Sequence, residues 1–453
     1  DKNGTRDGMT GTPPTARPAP AEVSEARSPS HQDRQRVRRS FVFGVANGAL
    51  LLLGDALIHP VLVLAVFVDR LTESRVLVGL VPALSVSLWF LPQAVAAALV
   101  EGRRSQLPWA AWGGIVRAAA IGLLAAIVLA GGLGSDRPVL IAFFLCYALY
   151  NLSAGFAFVP LVELSARAIP ADRRGFFFSQ RNFWGALLAL LAGLIVQWAL
   201  ASGDAGFAML FATSFAVLAL AAYTTLWMAE RPVPAHPRSL RAWFESVPTV
   251  LARRSVRRFI VFRSFLALSA IADPFFIIYA QYRLGLPAET AGTYLALSAI
   301  ARVATNPLWG WVVSRWGNRQ LLQLTTVLRL LMPLLALTLG ALVRWDRFLV
   351  LVNDVERFAF VSFALVFLAY GAALSAQMLA NFTAVLDLAR PNERPTLVGV
   401  TNSVLGVVAL VPMLGGFVVD RLGFEAVFVL AIVLALLALM TSGLLASPRR
   451  VSR

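Results

Sequence analysis

The chain has 453 residues, 58% hydrophobic and 14% charged, with a mean hydropathy of +0.73 and a formal net charge of +16. Soluble domains run nearer a quarter charged, and a globule of this size cannot hide so much apolar surface from water. Composition therefore excludes an ordinary soluble enzyme, while a single cysteine, Cys146, and three scattered histidines, His31, His59 and His236, exclude a disulfide framework and a cysteine or zinc site.

Residues 1–38 are rich in Pro, Ala, Ser, Thr, Arg and Gly. They carry too few large apolar side chains to offset ordering entropy, so a disordered basic tail is expected. The tail has no apolar core and does not read as a signal peptide. Twelve apolar runs follow, at about 41–67, 77–100, 109–131, 138–166, 182–201, 207–228, 259–283, 290–313, 320–343, 358–386, 396–418 and 424–446. Each is long enough for a helix to cross a hydrocarbon core. Interior prolines such as Pro60, Pro82, Pro92, Pro160, Pro274, Pro307, Pro333 and Pro412 are tolerated in membrane helices where neighbours satisfy the freed carbonyls.

With the N-terminus placed inside, the inner segments hold 28 Lys and Arg and the outer loops hold 8, Arg70, Arg75, Arg137, Arg283, Arg344, Arg347, Arg357 and Arg421. The positive-inside rule then puts both termini in the cytoplasm. Because the basic residues fall between apolar runs, they read as a topology signal, and no nucleic-acid partner is expected. The segment 239–258 places Trp243, Phe244, Val247 and Val250 ahead of Arg253, Arg254, Arg257 and Arg258. That pattern fits an amphipathic stretch on an anionic inner membrane surface.

The halves repeat. Phe41 and Asp55 recur as Phe259 and Asp273 at an offset of 218, and Ala83-Leu84-Ser85 recurs as Ala296-Leu297-Ser298 at 213. Arg117 matches Arg329 at 212, while the Pro170 and Arg173 segment matches Pro391 and Arg394, and Gly185 matches Gly406, at 221. The expected division is a tail over 1–38, a six-helix bundle over 39–229, a cytoplasmic linker over 230–257, a second bundle over 258–446 and a tail over 447–453. The expected fold class is an all-α membrane protein with twelve transmembrane helices in two pseudo-symmetric six-helix bundles.

Three motifs make residues 39–446 resemble the major facilitator superfamily. Gly310-Trp311-Val312-Val313-Ser314-Arg315-Trp316-Gly317-Asn318-Arg319 is similar to the family loop G-x-x-x-D-R-x-G-R-R, with Ser314 in place of Asp. The others are the run from Pro412 through Gly415, Gly416, Asp420 and Gly423, and Ile169-Pro170 followed by Arg173-Arg174-Gly175. The loop after the second span departs from the family pattern, with Glu101 in the acidic position beside Gly102, Arg103 and Arg104. The proline of drug-antiporter fifth helices and the arginine motif of the fourth are missing.

The resemblance implies a secondary transporter that moves a small organic solute across the cytoplasmic membrane by alternating access, as a monomer and without a cofactor. Protons are a candidate coupling ion. The alternative is a non-transporting receptor or assembly factor that keeps the fold. No catalytic constellation is present.

Asp55 and His59 lie four residues apart, near midplane, and share a face of a continuous helix. Intramembrane charge is a functional hypothesis by default, so the pair is a candidate proton or substrate site; the alternative is a pair satisfied by backbone or by another helix at a kink near Pro60. Asp273 precedes Pro274 and is read either as a functional carboxylate or as an N-cap. Arg302 is the expected partner of Asp273. Arg117, Arg329 and Arg263 are expected to snorkel to the inner headgroups. Tyr147, Tyr150 and Asn151, with Tyr370, Gln377 and Asn381, lie in spans that line the cavity in the resembling family; uncharged helix packing accounts for each equally well. Glu101, Arg103, Gly310, Arg315 and Asp420 are the expected gate elements.

Overall fold

The computed structural model describes residues 31–100, 103–131, 136–230, 240–345, 353–388 and 394–445. All regular structure among them is helical. Eleven segments are long and apolar enough to cross a membrane. The expected eighth span is two shorter helices that meet at Thr305.

Proline decides where the long apolar runs break, because it offers no N–H and its ring crowds the preceding turn. Helix α1, His31–Leu57, stops before Pro60. A π-helical turn, Pro60–Leu64, then leads into α2, Ala65–Leu71. Helix α3 is Arg75–Val100, α4 Leu107–Gly131, α5 Asp136–Ala168, α6 Ala171–Ala201 and α7 Asp204–Leu226. The linker contains α8, Leu240–Ala252. Helix α9, Arg254–Leu268, passes through a 3-10 turn into α10, Asp273–Leu284. Next come α11, Thr290–Ala304, α12, Asn306–Trp316, α13, Asn318–Leu342, and α14, Val355–Leu388. Helix α15, Arg394–Val408, reaches α16, Leu414–Leu422, through a 3-10 turn at Pro412, and α17 is Phe424–Ser442.

The tail expected over 1–38 lies outside the described residues up to position 30. From His31 the chain is already helical, since Gln35, Arg36, Arg38 and Arg39 are good helix formers and extend α1 ahead of its apolar run. Of the expected amphipathic segment, α8 is a helix, and Arg253 just beyond it donates to the Leu388 carbonyl at 2.5 Å.

In the first half α4 packs on α5 and α7, α1 on α6 and α7, and α3 on α5. In the second half α13 packs on α14 and α17, α11 on α14, and α17 on α9. The halves meet through α3 against α15 and α16, and through α6 against α11. The α3 seam starts where Gly416 backs onto Arg75; a Cβ on Gly416 would lie 2.0 Å from the Arg75 carbonyl oxygen. It runs past Ser87, whose hydroxyl donates to the Gly406 carbonyl at 2.5 Å, to Asn402, whose amide donates to Gln93 Oε1 at 3.4 Å. At the opposite end α12 packs on α13 and α14 of its own half, and Leu308, Trp311, Arg315 and Trp316 are exposed. The outer faces carry exposed apolar residues such as Trp112, Leu145, Trp198 and Met440, which suit lipid and would be a liability in water.

Candidate substrate site and gate

Asp55 stands two residues before the end of α1, where it faces α4 and α5. Its carboxylate pairs with Arg117 on α4 and accepts from the Tyr150 hydroxyl on α5. Arg117 also donates to the Tyr150 oxygen at 2.7 Å, with its guanidinium 4.7 Å from that ring's centroid. The rings of Phe143, Tyr147 and Tyr150 stack along α5 at 5.4 and 5.9 Å, which fixes the Tyr150 hydroxyl toward the pair. The group borders a cavity of about 350 Å³, lined also by Ser85, Trp89, Phe90 and Asn151. Its volume is that of a small-molecule site. The Asp55 side chain keeps 42% of its exposure and Arg117 12%, so the carboxylate is open to a cavity and the arginine is not.

The second half repeats this arrangement. Arg329 on α13 donates to Asp273 at 2.6 Å and to Gln377 Oε1 at 3.3 Å, and its guanidinium lies 5.9 Å from the Tyr370 ring. The three positions echo Asp55, Arg117 and Tyr150. The difference is burial. Asp273 and Arg329 side chains are 10% and 5% exposed, so this pair is sealed where its counterpart opens on a cavity.

Several sequence expectations are corrected. Arg302 does not pair with Asp273; Arg329 does. Arg117 and Arg329 do not snorkel. They stand 10 and 11 residues into α4 and α13, about 15 Å along the axis, too deep to reach a headgroup when a carboxylate is at hand. Asp273 makes no capping bond; it is the first residue of α10, and its carboxylate is committed to Arg329. Asp55 and His59 do not share a face, because α1 ends at Leu57 between them. His59 instead caps the π-turn, its Nδ1 accepting the Val61 and Leu62 amides at 3.3 Å each. Its ring lies edge-on to Tyr370, 6.2 Å away, so it faces the other half.

The other expected residues are dispersed. Arg302, near the end of α11, is exposed. The Asn151 amide donates to the Tyr147 carbonyl at 2.8 Å. Asn381 Oδ1 is buried and has no partner among the described residues. Glu101 lies outside the described residues. Arg103 bonds its own helix at the Leu99 carbonyl, 3.1 Å, and its carbonyl accepts from Arg167 at 3.2 Å. Gly310 and Arg315 lie on the exposed surface of α12. Asp420 is not with Arg315. It sits at the opposite end of the molecule, where it accepts the Arg75 amide at 3.4 Å.

That end holds a cluster which sequence reasoning missed. Arg75 pairs with Asp69, whose side chain is 4% exposed. The same guanidinium lies 4.7 Å from the Tyr282 ring and 5.8 Å from the Phe424 ring, both in the other half. One arginine thus joins three elements across the seam. Glu230, also unforeseen, accepts from Ser105 at 2.5 Å, from the Gln106 and Leu107 amides at 2.7 and 3.1 Å and from Arg167 at 3.2 Å, and so caps α4.

Helices long and apolar enough to span a bilayer, a cavity bordered by an ion pair in the first half and a bridged seam at one end define a multi-pass membrane protein of transporter fold. The family model of the Major Facilitator Superfamily matches residues 45–409, and the chain belongs to that superfamily. Among solved structures it is similar to the nucleoside transporter NupG, with 15% identity, TM-score 0.61 and coverage of 92% of this chain and 98% of that one. It is also similar to a POT family transporter in complex with 5-aminolevulinic acid, with 13% identity, TM-score 0.64 and coverage of 91% and 97%. A D-xylose-proton symporter aligns with 16% identity, TM-score 0.58 and coverage of 89% and 96%. No curated protein matches the chain significantly.

Proposed function

We propose that the protein is a secondary transporter that carries a small organic solute across the cytoplasmic membrane by alternating access. The observation that carries this reading is the asymmetry between the two ends: one is bridged across the seam at Arg75, Asp69 and Asp420, while at the other α12 packs on its own half with an exposed face, and the Asp55 cavity opens within the first half. Substrate sites at midplane between repeats are the rule for this architecture. Arg302, exposed and without a carboxylate partner among the described residues, favours transport over a non-transporting receptor, in which it would be packed and paired as Asp55 is with Arg117.

In this reading α11 and α12 form one broken span, which brings the number to twelve and both termini to one side. The excess of arginine on that side assigns it to the cytoplasm, so the bridged end faces outward and this is an inward-facing state. The halves divide at the linker 230–257. Asp55 is the proton-site candidate, since it alone of the two buried-pair acids reaches a cavity. His59 and Tyr370, which meet across the halves, are substrate contacts, and the transporter works as a monomer. The superfamily neighbours include a nucleoside transporter, a sugar symporter and a POT family transporter in complex with 5-aminolevulinic acid, which supports a polar solute of modest size.

The test is uptake by the purified protein in liposomes, across labelled nucleosides, pentoses, dipeptides and organic acids, with and without an imposed pH gradient. Saturable counterflow of one class is expected. A cooperatively melting, correctly inserted protein that moves none of them would contradict the reading.

A further inference from the structure

The balance of charge in the membrane core narrows the solute. Two acids, Asp55 and Asp273, are each already matched by an arginine. Three further arginines within the spans have no carboxylate partner among the described residues: Arg181, Arg263 and Arg302. Arg263 is 6% exposed. Its Nη1 donates to Asn402 at 3.3 Å, its guanidinium stands 5.9 Å from the Phe90 ring, and its Nε has no partner. Phe90 also lines the Asp55 cavity. Arg302 is exposed far from either end of the broken span 290–316. Arg181 lies against Gly48 in the first half.

The Arg263 guanidinium is buried and cannot shed its proton, so it keeps an uncompensated positive charge in a low-dielectric setting, and Arg302 presents an unpaired charge at an exposed position within its span. A neutral solute leaves that charge as it is, and a cation adds to it. The two acids are each matched by an arginine, so they leave no net negative charge to attract a cationic solute. An anion offsets the charge, and guanidinium donors match carboxylate and phosphate oxygens in geometry.

We propose that the carried solute is a small organic anion, whose carboxylate or phosphate is attracted to the unpaired guanidiniums of the second half, Arg302 and Arg263. This rests on the transporter reading and sets its substrate class. Both arginines belong to the second half, Arg263 on α9 beside the α3 seam and Arg302 on α11.

The test uses the full chain in neutral detergent, its melting followed by tryptophan fluorescence. The probes are benzoate, succinate and glycerol phosphate, each against its uncharged counterpart benzamide, succinamide and glycerol, at fixed ionic strength. At least one anion should raise the melting temperature where its neutral counterpart does not. Arg302→Gln and Arg263→Gln should each raise the concentration needed about ten-fold or more, with Arg302→Lys intermediate. Because Arg302 is exposed, Arg302→Gln should melt at the wild-type temperature without ligand, which separates loss of binding from loss of fold. Equal stabilisation by an anion and its neutral counterpart, an anion effect unchanged in both Gln variants, or stabilisation by anionic phospholipid but by no soluble anion would each overturn the assignment. If no probe acts but uptake of a neutral class is found, the substrate class is wrong and the transporter reading stands; if uptake fails as well, both fall.

Discussion

Replacing Arg75 should open the bridged end of the molecule. Asp69 keeps only 4% of its side-chain exposure and Arg75 15%, so the substitution strands a buried carboxylate. Breaking a buried pair from one side costs about 3–5 kcal/mol, and the lower bound applies here because the cluster lies at a helix end. The two ring contacts at 4.7 and 5.8 Å add roughly 0.5–1 kcal/mol each. The Asp420 bond survives, since it uses the backbone amide of residue 75. Opening of the seam is taken to return Asp69 to water, which places the penalty on the closed state. About 3 kcal/mol moves the equilibrium by roughly 100-fold. Arg75→Met should therefore turn a population almost wholly closed at this end into one measurably open. Spin labels at Glu73 and Leu422, in a Cys146→Ala background, report it as a longer distance. Asp69→Asn combined with Arg75→Met should recover much of the closed population, because no charge is then stranded. An unchanged distance distribution in Arg75→Met would refute the assignment of Arg75 as the bridge.

The two repeat-related pairs should respond differently. Asp273→Asn should lower stability by about 3 kcal/mol or more by stranding Arg329, read as the loss of melting temperature, and Asp273→Asn with Arg329→Met should restore part of it. Asp55→Asn should destabilise less, because that carboxylate is open to a cavity, and should abolish pH-driven accumulation while sparing exchange down a gradient; equal loss of both would mean binding or folding is affected. Single cysteines at Glu73 and Glu356 should label from outside intact cells and those at Ser105 and Glu245 should not; the reverse pattern would overturn the orientation.

The fold was legible because a bilayer writes itself into composition. Apolar runs, arginine-rich segments between alternate runs and drifting offsets near 212 to 221 are all readable along one dimension. The breaks were less so. Pro60 and Pro412 interrupt helices, whereas Pro82, Pro92 and Pro160 lie within continuous ones, and the choice depends on whether neighbours satisfy the freed carbonyl. The repeat aligned Asp55 with Asp273 and Arg117 with Arg329 but gave no sign that each acid meets each base. That contact is set by how α1 faces α4, a rotation that periodicity does not encode. His59 was misplaced for a related reason: four-residue spacing implies a shared face only while the helix continues, and here it ends at Leu57. Arg75 was counted as a loop charge, since nothing in sequence brings it to Tyr282 and Phe424 of the other half.

The claim on which the account rests is that the two ends open alternately around one central site. Distances between labels at Glu73 and Leu422, and between labels at Ser179 on α6 and Ser314 on α12, test it together in lipid. As solute or pH is varied, the populations should exchange in opposite senses, the first pair lengthening as the second shortens. Two distances that stay fixed, or that lengthen together, would contradict alternating access in this chain.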